Sequence, residues 1–235
     1  MKFITRLIIF NTLLFGASLN ASDNFENYEI RFDISFPFAS LEGTKKFEKT
    51  KSSNEYAITF EGKNSLLNAS LNQTASLRVG NKKIFPQSYT QQIKVPFQRE
   101  AGIQIINFDY KDLTIKSTGN VIWMVPIEDG VIPLDPLSMA MKMRSNLKKG
   151  ITEFSLDILK LDDGEIYSND FKVTGEETLT IKDVNYPCYV VLRETENRTT
   201  KYYFAKNLDF ILLKVDDKRP SRRTSIDPVK ILSFG

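Results

Sequence analysis

The sequence predicts a mainly β fold: a curled antiparallel sheet, barrel-like or half-barrel-like, with one helix at about residues 135–149 packed on it. Three observations carry this. Apolar residues recur with a period of two along most of the 235-residue chain, the signature of strands with one buried face. Turn residues interrupt the pattern at short intervals, as in a meander. Only one stretch, residues 132–150, carries helix start and stop signals that agree with each other.

Taken in order, the chain opens with Lys2 and Arg6, then a run over residues 7–15 that is apolar apart from Asn11 and Thr12. Small or polar residues follow through Ser18 and Ala21. This is the layout of a secretory signal peptide over residues 1–21, and an uncleaved N-terminal anchor is the alternative. The run is shorter than the ~20 residues a spanning helix needs. No second run of that kind follows, so the mature chain, residues 22–235, is expected to be one domain without a spanning segment. The single cysteine, Cys188, lies far from the cleavage region. A lipoprotein would need a cysteine at the new N-terminus and a disulfide would need two, so a periplasmic protein held by its core alone is expected. The ~210 residues available are enough for such a core.

The strands of the first half begin with Tyr28, Ile30, Phe32, Ile34 and Phe36, alternating with Glu29, Arg31, Asp33 and Ser35. Tyr56, Ile58 and Phe60 repeat the pattern, then Leu77 and Val79 before a turn at Gly80 and Asn81. Ile84 and Phe85 run into Pro86, which ends or edges its strand. Gln104, Ile106, Phe108 and Tyr110 follow, with Leu113 and Ile115 beyond a turn at Lys111 and Asp112. Residues 119–133, with two prolines and Asp129–Gly130, form an irregular connection. It holds the only tryptophan, Trp123, either a core ring or an aromatic lip over a cavity.

In the helix, Asp135 can cap the N-terminus and Pro136 suits the first turn. Lys148 and Lys149 suit the negative end of the dipole, and Gly150 can terminate in the left-handed conformation. Leu137, Met139, Ala140, Met141, Met143 and Leu147 share a broad apolar arc, opposite Ser138, Lys142, Ser145 and Asn146. Arg144 falls inside the apolar arc. An unpaired buried guanidinium is costly, so two readings stand open. It makes a structural ion pair or snorkels to water, or it lies at the floor of a pocket facing an anionic group. With Trp123 and the adaptable side chains of Met141 and Met143, Arg144 completes the candidate binding set.

After Gly150 the period of two returns through Phe154, Leu156 and Ile158. Asp162, Asp163 and Gly164 make a hairpin turn before Ile166. Phe171 and Val173 precede Gly175, Glu176 and Glu177, then Leu179 and Ile181. The run from Tyr186 to Leu192 pairs with Tyr202 and Phe204, and two further strands, residues 210–215 and 230–234, close the chain around a basic loop.

The order YEIRFDISF, GNKKIFPQSY, LDPLSMAMKMR, DDG, VTGEETL and YYFAKNLDFILLKV resembles the bacterial secreted family catalogued as domain of unknown function 3108. The best-matched positions are Asp135, Leu137, Ser138 and Arg144 in the helix, Gly175 and Glu176, and Tyr203, Phe204 and Ala205. The resemblance covers nearly the whole mature chain. It implies an exported, mainly antiparallel β protein of the cell envelope, with no established activity and no catalytic residues to carry over.

Composition excludes more chemistry than it suggests. There is no histidine, hence no Ser–His–Asp triad, no Cys–His pair and no imidazole zinc site. No nucleotide-binding glycine motif or EF-hand spacing occurs, and no cofactor or metal is expected. Without Lys2 and Arg6 the 32 basic residues fall to 30 against 29 acidic, so no nucleic-acid partner is expected. The cluster Lys218, Arg219, Arg222 and Arg223 around Pro220 reads first as a solvated loop tip and second as a docking point for an anionic lipid headgroup. Glu176 and Glu177 are adjacent and would face opposite sides of a strand, a poor acid–base pair. Ser138 and Lys142 at i and i+4 read as solvated side chains rather than a catalytic dyad.

Three functions remain in order: a periplasmic carrier for a lipid or other amphiphile, an envelope scaffold holding a protein partner, and a carboxylate-dependent enzyme acting on polysaccharide. The balance leans away from an enzyme.

Overall fold

The computed structural model describes residues 24–235 except 38, 53, 82 and 97–99. The expected signal peptide, residues 1–21, lies outside the described residues. Period-two alternation becomes strands β1 (Tyr28–Phe36), β2 (Ala39–Lys49), β3 (Glu55–Asn64), β4 (Ala69–Gly80), β5 (Lys83–Lys94), β6 (Gly102–Asp109), β7 (Thr114–Gly119) and β8 (Trp123–Pro126). Helix α1 (Pro136–Lys148) follows, then β9 (Glu153–Leu159), β10 (Ile166–Ile181), β11 (Val184–Thr195), β12 (Arg198–Ala205), β13 (Ile211–Arg219) and β14 (Arg222–Phe234).

The strands form one sheet in the order β8-β7-β6-β5-β4-β3-β2-β1-β14-β13-β12-β11-β10-β9, antiparallel throughout. Two meanders are joined where the first and last strands pair, Tyr28 opposite Phe234. The sheet is mainly β, barrel-like and unclosed: β8 and β9 are its two edges, and no ladder joins them. Side chains bridge the gap instead. Trp123 Nε1 and Gln104 Nε2 both donate to the Leu161 carbonyl, at 2.9 and 2.7 Å. Gly164, at φ +80°, lies under the Trp123 ring, where a Cβ would come within 2.7 Å of it. The hairpin turn therefore needs glycine both for its backbone angle and for the ring above it. On the other side of β9, Leu134 makes a parallel bridge to Ile158, which covers part of that free edge.

The strand pattern was legible unevenly. Strand β2 shows no clean apolar alternation, because Gly43 and Lys45 occupy two of its inward positions. Pro86 does not end β5; the strand continues through it with a register shift opposite Ser76 and Leu77, which accommodates the missing donor. The segment expected to be irregular contains β8, and β14 is far longer than the stretch expected at 230–234.

Helix α1 is capped as its sequence demands. Asp135 Oδ1 accepts from the Leu137 and Ser138 amides at 2.8 and 3.0 Å. At the other end Gly150, at φ +73°, donates to the Leu147 carbonyl and Ile151 donates to Asn146, both at 3.0 Å. This is a Schellman ending. The helix lies within the curl of the sheet rather than on its surface. Ser138, Ser145 and Asn146, expected to face solvent, are buried along with the apolar arc. The reason is enclosure: strands surround the rod, so of its polar flank only Lys142 keeps a partial route to water. Leu137 and Met141 join the larger core, built mostly from β1–β7 with Leu159, Val190, Tyr203 and Leu213 from the second meander, whereas Met139, Met143 and Leu147 join a second core with Leu156, Phe171, Val191 and Phe204.

Candidate functional site

Three features converge around α1: a buried cation held by the chain, a polar belt, and an apolar cavity. Arg144, fully buried, donates Nε to the Asp209 carbonyl at 2.8 Å and Nη2 to the Asp209 carboxylate at 2.5 Å. Nη2 also reaches the Glu26 carbonyl at 3.2 Å. Its guanidinium carbon lies 5.2, 5.5 and 5.3 Å from the ring centres of Phe25, Tyr28 and Phe47. Such contacts contribute about 0.5–1 kcal/mol at exposed sites and about 2 kcal/mol when desolvated. Asp209 is shared with Lys148 at 2.5 Å. Arg144 thus ties the helix to the β12–β13 turn and to the segment preceding β1.

The polar belt crosses β4 to β7 on the inner face. Gln73 Nε2 donates to the Tyr89 hydroxyl at 2.8 Å, and Gln91 Nε2 donates to Gln104 Oε1 at 2.8 Å. Gln104 Nε2 also donates to Ser117 Oγ at 2.9 Å, and Ser117 in turn donates to the Val121 carbonyl at 2.6 Å. Burial raises the Tyr89 phenol above its ordinary pKa, and the Asp135 carboxylate adds to this. These groups satisfy one another and bring the belt to the seam at Leu161.

Asp135 is wholly buried, and burial raises its carboxyl above the ordinary value of 3.8, opposed by hydrogen bonds from Ser138 and Leu137. Ser138 Oγ donates to Asp135 Oδ2, so it is committed to the cap rather than offered to Lys142. A folded-state pKa above the unfolded one makes the ionised form the costly one in the fold. That cost is complete above the folded value and is lost as pH falls to about 3.8. Asp135→Asn removes the titration and keeps an acceptor for the cap. The stability of the natural protein relative to this variant should therefore rise from pH 7 to pH 4.5, as urea denaturation at the two pH values would show. Asp135→Ala, which orphans three buried donors, should cost about 2–4 kcal/mol at either pH.

The cavity lies against the first turns of α1. It measures about 300 Å³ and is walled by Pro136, Leu137, Met139 and Ala140 of the helix and by residues of β1–β4 and β12–β14. Phe32, Ile34, Phe60, Leu71, Leu213 and Ile226 make its surface mainly apolar. Three cations line it: Lys45, Arg198 and Lys214. Arg198 pairs with Asp217 and Lys214 with Asp227. Lys45 is 8% exposed and has no ion-pair partner among the described residues. Of the residues singled out in the sequence, none of Arg144, Trp123, Met141 and Met143 lines this cavity. Met141 and Met143 fill the two cores beyond it, Arg144 is engaged by Asp209, and Trp123 sits at the seam. Lys45 was missed because β2 was. Its signal is the inward series Leu41, Gly43, Lys45 and Phe47, visible once β1 supplies the register. A larger depression of about 540 Å³ beside Arg31, Glu42, Glu61 and Lys63 mixes both charge signs and favours no ligand charge.

Among the described residues there is no group of three metal-ligating side chains, and no helix is long and apolar enough to cross a membrane. Burial pushes the Cys188 thiol up to about 11, where it is a poor nucleophile.

An unclosed antiparallel sheet wrapped on one internal helix defines a barrel-like protein. The fold is similar to the crystal structure of a beta-barrel-like protein of domain of unknown function DUF1849 from Brucella abortus, with a TM-score of 0.61 and 7% identity. The match covers 88% of this chain and 98% of that one. The chain itself belongs to the family described as protein of unknown function (DUF3108), which matches residues 27–223. No curated protein matches the sequence.

Proposed function

We propose that the protein is an exported, periplasmic binding module that carries a single-chain amphiphile, its hydrocarbon in the cavity beside α1 and its anionic head at Lys45. One observation carries this reading: an apolar cavity of about 300 Å³ whose wall holds a buried lysine without a carboxylate partner. An unpaired ammonium among apolar walls is costly in the empty protein, and an anionic headgroup removes that cost. The volume lies at the lower end of the ~300–1,000 Å³ range of ligand pockets, which suits one acyl chain better than a phospholipid with two. No carboxylate lines the cavity among the described residues, and its mainly apolar wall supports binding rather than hydrolysis.

Titration with cis-parinaric acid, a fluorescent fatty acid, tests it. Lys45→Met should weaken binding about tenfold or more, since charge-assisted hydrogen bonds contribute about 1.5–3 kcal/mol. The corresponding fatty alcohol should bind both proteins alike. Equal loss for acid and alcohol, or no binding of either by the natural protein, would refute the assignment.

A further inference from the structure

The register places seven turns at one end of the sheet, in the spatial order β7–β8, β5–β6, β3–β4, β1–β2, β13–β14, β11–β12 and β9–β10. Along the first four, the chain exposes large apolar side chains: Ile122 at 79%, Leu66 at 97%, and Val95, Leu67 and Phe36 to a lesser degree. Neighbouring turns are tied laterally. Asn64 Nδ2 donates to the Ser40 carbonyl at 2.8 Å, and Lys94 Nζ donates to Asn68 Oδ1 at 3.1 Å. These bonds tie the strand ends at β1–β2, β3–β4 and β5–β6 side by side.

The fifth turn is basic, and its pairing is unusual. Lys218 stands opposite Arg223, and Arg219 opposite Arg222, two like-charged cross-strand pairs in succession. Such pairs destabilise a hairpin. Asp216 and Asp217 neutralise Arg223 and Arg219, whereas Lys218, Arg222 and the nearby Lys63 have no ion-pair partner among the described residues. The acidic residues of the turns at this end, Glu196, Asp162, Asp163 and Glu165, belong to the last two turns, with Glu100 the exception in the β5–β6 connection, and just inside the strand ends Glu42 stands opposite Lys63. Phe36, Leu71, Arg198 and Thr224, which line the cavity, lie within the first three or last residues of their strands at this same end.

We infer that the arc from β7–β8 to β13–β14 is a docking face for an anionic lipid bilayer. The apolar tips enter the interfacial layer and the β13–β14 hairpin rests on the headgroups. Two features select a membrane over a protein groove-binder. The exposed apolar groups are spread over four separate turns rather than forming a continuous patch, and the two unpaired charges of the adjoining β13–β14 hairpin, Lys218 and Arg222, are both positive. A bilayer supplies what each needs: hydrocarbon below and anionic headgroups around it. The position also sets the cavity's partly exposed wall at the lipid surface.

The experiment places the environment-sensitive fluorophore NBD on the full chain at Leu66→Cys and, separately, at Asp112→Cys in the β6–β7 turn at the opposite end. Cys188 is buried and stays unlabelled. With phosphatidylcholine vesicles containing phosphatidylglycerol, the label at position 66 should shift to the blue and brighten severalfold, and the label at 112 should not. Adding Lys218→Glu and Arg222→Glu should weaken that response at least about tenfold, with an unchanged circular dichroism spectrum. A silent label at 66, an equal response at 112, or a response indifferent to lipid charge and to the reversed residues would overturn the inference. Vesicle docking is measured without a fatty-acid probe, so its failure leaves the cavity reading to its own test.

Discussion

Asp209→Ala should lower stability by about 3–5 kcal/mol, the cost of stranding a buried charge. Arg144 is only 1% exposed and draws both its ion pair and its shortest neutral hydrogen bond from that residue. Asp209 also stands at φ +49°, a left-handed conformation that alanine tolerates less well than aspartate does. A chain of this size should lose about 2–4 °C of melting temperature per kcal/mol, so thermal denaturation would register the change plainly. Arg144→Met behaves differently. It removes the charge and fills the aromatic box, while Asp209 keeps Lys148 at 2.5 Å, so the cost should be about 1–3 kcal/mol. In the double variant, removing Asp209 should add only the loss of its pair with Lys148, of its hydrogen bond from the Glu26 amide and the change in backbone preference, well short of the cost of Asp209→Ala alone. A strictly additive cycle would contradict the clasp.

The second large effect is expected at the cavity. Ala140 points into it from the helix, and Ala140→Phe places a ring where the hydrocarbon would lie. Binding of cis-parinaric acid should fall at least tenfold, to or beyond the limit of detection. Stability should change by less than about 1 kcal/mol, because the ring's added burial offsets the strain of fitting it. Unaltered binding in a folded variant would place the ligand elsewhere. The comparison with Lys45→Met separates the two halves of the site. The phenylalanine excludes acid and alcohol alike, whereas the methionine discriminates between them.

The helix was the most legible element because every signal for it is local. Asp135, Pro136 and Gly150 take the roles their chemistry allows, and the structure places all three as expected. The strands with clean alternation, such as β1 and β3, were equally plain. What escaped were features set by distant parts of the chain. Enclosure of α1 within the curl buries Ser138, Ser145 and Asn146, and no local pattern announces this. Strand β2 carries a glycine and a lysine inward because β1 pairs with it along its length. Arg144 was recognisable as a charge on an apolar arc, yet its partner lies 65 residues away in a turn with no distinguishing motif. The same limit hid the cavity: its walls come from both meanders, and Lys45 acquires meaning only beside Phe60, Leu213 and the first turn of α1.

The central claim is that the curled sheet and its helix enclose a place for one amphiphile. Native mass spectrometry of protein released from the cell envelope without detergent measures this most directly. The expected result is a species heavier than the polypeptide by the mass of one fatty-acyl amphiphile, lost on gentle activation and missing from Ala140→Phe. A bare polypeptide mass, together with no uptake of cis-parinaric acid by that same preparation, would contradict it.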